Sequence, residues 1–181
     1  MKTKTILNVM MAMAIAIILN GCAGKDGAPG ATGPAGTNGN ANVTTGQTTI
    51  NSSNWGFSGT SYTCTINSSN ITSSLISNGG AVEVYISNDG GAAWVALSYT
   101  YINPSVSSPN AFMAYGFDVG QVVLIWTWNN DAANGDPCTT YGTSLLVNIV
   151  AIPAAVIKQH PNTNWKDYSQ VQPIINSQRT N

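Results

Sequence analysis

The chain has 181 residues, with six Lys or Arg, seven Asp or Glu, one His and a formal net charge of −1, and 7% of its residues are charged. So neutral a composition, without a basic run, excludes nucleic acid as a partner and excludes a polybasic membrane-binding segment. A single His and a single Glu, Glu83, leave little for hydrolytic chemistry, which needs an activated nucleophile or paired carboxylates. No Ser lies in a Gly-x-Ser-x-Gly setting, and no enzyme activity or cofactor is expected.

Lys2 and Lys4 precede an apolar run from Ile6 to Leu19, interrupted only by Asn8. A positive start followed by such a run is the pattern of an export signal. About 14 residues at ~1.5 Å each cover roughly 21 Å, short of the ~30 Å core that a spanning helix crosses. The run ends in Leu19-Asn20-Gly21-Cys22, which resembles the bacterial lipobox, with an unusual Asn in the middle. Residues 1–21 are therefore expected to be removed and Cys22 to be acylated. One acyl chain anchors only marginally, whereas two or three hold a protein at the bilayer. Removing Lys2 and Lys4 leaves four basic against seven acidic residues, a net charge of −3.

Residues 22–41 carry the acylated cysteine and a stalk. Gly recurs at 24, 27, 30, 33, 36 and 39, the period of a collagen triple helix, whose axis admits only Gly. Pro29 and Pro34 alone supply polyproline stiffening. The run thus reads as a spacer, with a homotrimer as the alternative assembly. About 18 residues reach roughly 55 Å as a rod or ~23 Å as a flexible coil, and either clears the lipid headgroups. Lys25-Asp26 behind the cysteine is similar to the charged sorting signals of surface lipoproteins, which favours the cell surface of an outer membrane.

Residues 42–181 are rich in Ser, Thr, Val, Ile, Tyr and Trp and read as one β-rich domain. Tyr62, Cys64 and Ile66 share one strand face by alternation, as do Val82, Val84 and Ile86 within Ala81–Ser87. Asn88-Asp89-Gly90-Gly91 turns the chain, and Trp94 to Tyr101 is expected to return as the partner strand. Ser69 or Asn70 is expected to cap a short helix over Ile71–Ser77, ended by Gly79 or Gly80. Pro104 and Pro109 bracket a loop before a strand at Ala111–Phe117. After the Asp118-Val119-Gly120 turn come two long apolar strands, Gln121–Trp128 and Thr143–Pro153, joined by the turn-rich segment 129–140. The apolar run Val122-Val123-Leu124-Ile125 predicts a central strand covered on both faces. In the tail, Asn164 is expected to cap a helix through Trp165, Tyr168 and Val171 that docks on the sheet, with loose final residues. About seven strands predict an all-β antiparallel sandwich, immunoglobulin-like or otherwise, and a closed barrel is the alternative.

Cys64 and Cys138 remain as an even pair, expected to form a disulfide in an exported protein. Closing a loop of about 75 residues would contribute a little over ~4 kcal/mol in the chain-entropy account. With His160 they make too few ligands for a metal site, and none is expected. The oxygen-rich segment 129–136 matches no calcium-loop spacing and reads as a turn. Trp126 and Trp128 share parity on one strand and would form a ring platform for a glycan if that face were open, although rings equally fill sandwich cores.

The succession of lipobox, glycine triplets ending in Gly39-Asn40-Ala41-Asn42-Val43, and an aromatic strand-rich domain resembles the collagen-like lipoproteins of the Bacteroidota. The residues that carry it further are Trp55-Gly56-Phe57, the segment from Asn78 to Tyr85, Trp94-Val95-Ala96-Leu97, the segment from Val147 to Pro153, and Asp167-Tyr168. The resemblance implies export and lipid anchoring in a membrane, and it supplies no catalytic residue. A glycan or a protein is the kind of partner to expect.

Overall fold

The computed structural model describes residues 42–102, 110–129 and 135–179. The export segment, Cys22, the glycine triplets, the Pro104 to Pro109 loop and residues 130–134 lie outside the described residues.

Among the described residues nine strands form two antiparallel sheets, which makes the domain an all-β sandwich. They are β1 (Thr44–Ile50), β2 (Gly56–Ser58), β3 (Ser61–Asn67), β4 (Ala81–Ser87), β5 (Val95–Ala96), β6 (Tyr99–Ile102), β7 (Asn110–Asp118), β8 (Gln121–Trp128) and β9 (Leu145–Ile152). The first sheet runs β1-β9-β4-β5 and the second β2-β3-β8-β7-β6. The two most apolar strands take the inner positions. β9 pairs with β1 and β4, and β8 pairs with β3 and β7.

Period-two alternation sets what faces what. Val82, Val84 and Ile86 of β4 and Leu145, Val147 and Ile149 of β9 point between the sheets. They meet Cys64, Met113, Val122, Leu124 and Trp126 from the second sheet, all buried in one cluster. Gly120, at φ +81°, closes the two-residue turn between β7 and β8, where a side chain would be strained.

The two inner strands differ on their outer faces. β8 alternates buried with half-buried residues, so its outer face is half open rather than covered as its apolar run predicts. β9 is buried on both faces because the C-terminal segment packs on it. That segment holds α3 (Ala154–Gln159) and α4 (Tyr168–Arg179), which follow two shorter helices, α1 (Ser73–Ser77) and α2 (Pro137–Tyr141). Val156 of α3 and Val171, Ile174 and Ile175 of α4 cover Tyr85, Val150 and Ile152. At about 1.5–3 kcal/mol for each large aliphatic side chain removed from water, this third layer is a substantial part of the domain's stability.

Four expectations need correction. The return strand from Trp94 to Tyr101 is divided: Val95 and Ala96 pair with β4, and from Tyr99 the chain crosses to the other sheet beside β7. Fully buried Leu97 occupies the crossing, its N–H donating to the Val84 carbonyl at 2.9 Å. The helix after β3 is capped by Thr72, whose hydroxyl accepts from the Leu75 N–H at 3.1 Å, and not by Ser69 or Asn70. Asn164 holds only a turn, while Asp167 receives the Ser169 N–H at 3.0 Å, ahead of a helix that runs on to Arg179. Residues 137–141, read as loop, form α2 because Asp136 caps it and Gly142, at φ +68°, ends it.

Candidate functional site

Trp126 and Trp128 lie on the inner face of β8, as their shared parity requires, but that face is closed. Trp126 is 0% and Trp128 7% exposed. Their rings meet edge to face at 5.4 Å, and Tyr101 and Tyr141 lie 6.0 and 6.3 Å from Trp126. The Trp128 Nε1 donates to the Gly135 carbonyl at 2.8 Å, and the hydroxyls of Tyr99 and Tyr141 bond at 2.7 Å. Burial, followed by the Tyr99 hydrogen bond, pushes the Tyr141 hydroxyl well above the usual phenol range. The expected ring platform is therefore core: four rings packed against one another contribute apolar burial and stacking in place of a ligand surface.

The expected disulfide is absent, because Cys64 and Cys138 are both free thiols. Cys64 reaches the core from β3 and Cys138 from α2, and both belong to the same buried cluster. Burial raises the Cys64 thiol above its ordinary range and the neighbouring Cys138 adds to the rise. Burial is also the main cause for Cys138, whose Sγ lies 3.6 Å from the Ile50 carbonyl. Both are held protonated and away from solvent, unlike the exposed, low-pKa thiols of redox chemistry.

Glu83, the single Glu of the chain, is an anchor for the tail. Its carboxylate pairs with the Lys166 ammonium, which also donates to the Leu97 carbonyl at 2.8 Å and sits 5.5 Å from the Tyr115 ring centre. Tyr115 donates to the Val82 carbonyl at 2.7 Å. Tyr85 donates to the Trp165 carbonyl, and the Asn148 side-chain amide donates to the Tyr168 hydroxyl at 2.9 Å. These bonds fasten residues 165–168 to the β4 side of the first sheet. Sequence reasoning missed the clasp because its partners stand 20 to 83 residues apart along the chain.

Of the oxygen-rich segment, Asp136 accepts from the Cys138 and Thr139 N–H groups at 2.8 and 3.1 Å and from the Thr139 hydroxyl at 2.6 Å. Its carboxylate serves as a helix cap. His160 follows α3 as its terminal residue. Among the described residues no three His, Cys, Asp or Glu side chains converge to hold a metal, and no helix is long and apolar enough to cross a membrane. Comparisons with protein-family models, with curated proteins and with solved structures gave no match.

Proposed function

We propose that the chain is a bacterial outer-membrane lipoprotein, acylated at Cys22, that displays its β-sandwich at the cell surface on a collagen-like spacer and serves a structural or adhesive role. The observation that carries this reading is the order of segments: an export signal ending in Leu19-Asn20-Gly21-Cys22, six glycine triplets, and then a folded domain whose first strand begins at Thr44. The triplets end only a few residues before that strand. A short spacer leading straight into a strand suits display better than it suits a buried terminal segment. A non-enzymatic role is supported by the engagement of Glu83, Lys166, Asp136 and Asp167 in fastening and capping. With Trp126 inside the core, a carbohydrate-binding role would need a surface other than the aromatic platform.

Cys22→Ser tests the reading. The variant should lose fatty-acid labelling and retain residues 1–21, while the wild-type domain should be cut by protease added to intact cells. Unchanged processing and labelling in the variant would refute lipid anchoring, and full protease resistance on intact cells would refute surface display.

A further inference from the structure

A cleft of about 150 Å³ opens where β1 of one sheet faces the end of β3 in the other. Its rim carries the exposed residues Gln47 and Asn67, and deeper in lie half-buried Thr48 and Asn70. Ile149 and Ile66 supply an apolar wall. No charged side chain lines it. Ser68, another lining residue, is 7% exposed, and its hydroxyl has no hydrogen-bond partner.

Gly46 makes part of this space. It pairs with Ile149 in the middle of β1, and its backbone is not in the left-handed region that calls for glycine. A Cβ there would point toward Asn70, meeting its Nδ2 at 3.8 Å, an ordinary contact distance. Neither strain nor crowding requires glycine at this position, which in a strand interior often marks close approach by a ligand.

We infer that this cleft binds one neutral, hydroxyl-rich ring, a single sugar unit at the end of a glycan. The volume equals that of about five liquid waters, so the open cleft takes up part of one pyranose ring and is too small for an extended oligosaccharide. Charge is selected against, since an ion placed here would lose water and gain no counter-ion. A purely apolar ligand would leave the Ser68 hydroxyl and the Asn70 amide unsatisfied. A pyranose offers hydroxyls to the Asn70 amide and the Ser68 hydroxyl and an apolar ring face to Ile149 and Ile66. So small a site should bind with a Kd on the order of millimolar.

The test is titration of the full chain in detergent micelles with methyl glucoside and with N-acetylglucosamine, read from the NMR signals of the Asn70 side-chain amide and of the backbone amides of Gly46, Gln47 and Thr48. Saturable shifts are expected with at least one of these sugars. Ser68→Ala should weaken binding about fivefold or more, and because the hydroxyl it removes is unpartnered, the variant should unfold no earlier than the wild type. Gly46→Val, which fills the cleft with a strand-favouring side chain, should abolish binding. If it fails to fold, Gly46→Ala with a weakened affinity carries the same information. Absence of any saturable shift, undiminished binding in Ser68→Ala and the Gly46 variants, tighter binding of glucuronate than of neutral sugars, or binding of an acetylated dipeptide amide in place of sugar would each overturn the inference. Binding should persist in Cys22→Ser, so the site stands or falls separately from lipid anchoring.

Discussion

A thiol removed from water ionises less readily, and Cys64 and Cys138, 2% and 5% exposed, are both shifted in that direction. The sulfur atoms act here as small apolar groups that fill space between β3, α2 and the end of β1. Cys64→Ser would put a hydroxyl in that space without a partner, at a cost of about 1–3 kcal/mol. Urea unfolding should give the same loss with and without reductant, because the thiols are free in the folded chain. A wild-type protein more stable by several kcal/mol only when reductant is omitted would instead show that the two sulfurs bond on oxidation. The even cysteine count predicted a disulfide, whereas both thiols stay free within one buried cluster. Trp126 and Trp128 teach the same lesson from the other side, since shared parity says that two rings face one way but not whether that way is covered.

Among the elements, the C-terminal helices change the architecture most. They turn a two-sheet sandwich into three layers and close the outer face of β4 and β9. Ile175, 4% exposed, sits in that contact, so Ile175→Ala should lower stability by about 2–5 kcal/mol in a denaturant melt. Gln172→Ala, on the exposed side of the same helix, should stay within about 0.5 kcal/mol of wild type. Equal effects would mean that the helix does not dock. β3, β4, β7, β8 and β9 were legible because apolar side chains recur every second residue or run without a break. β1 was not, since Thr44-Thr45-Gly46-Gln47-Thr48-Thr49-Ile50 is a polar edge strand that gains its order from pairing with β9. The crossing at Leu97 was hidden too, because period two continues through Tyr99 and Tyr101 while the strand changes sheet. α3 lies directly behind Pro153, and its docking residue Val156 has no helical partner within so short a segment. The cleft had no sequence signature at all, being assembled from β1, β9 and the loop after β3.

For the whole molecule, the number of chains that stand together has the largest consequence. Three chains would have to wind six glycine triplets containing only Pro29 and Pro34, little stiffening for a triple helix. Light scattering on residues 23–181, which carry neither the acyl group nor the export segment, is expected to give a monomer. A trimer would make the glycine run a winding segment and would triple the number of clefts at each attachment point. Avidity could then reach 10²- to 10⁴-fold over a single weak site without any new contact.

The position of β1 bears on how the domain would respond to a pull. The glycine run enters at Asn42, β1 begins at Thr44, and the cleft borders Gly46, Gln47 and Thr48. A load applied between the bilayer and a captured sugar would enter through a handful of residues held to β9 by the Thr44 to Ile50 register. The inner strands and the helical layer would lie off that line of tension and stay slack, so grip strength would be set by one edge strand and could be tuned there without disturbing the rest of the fold.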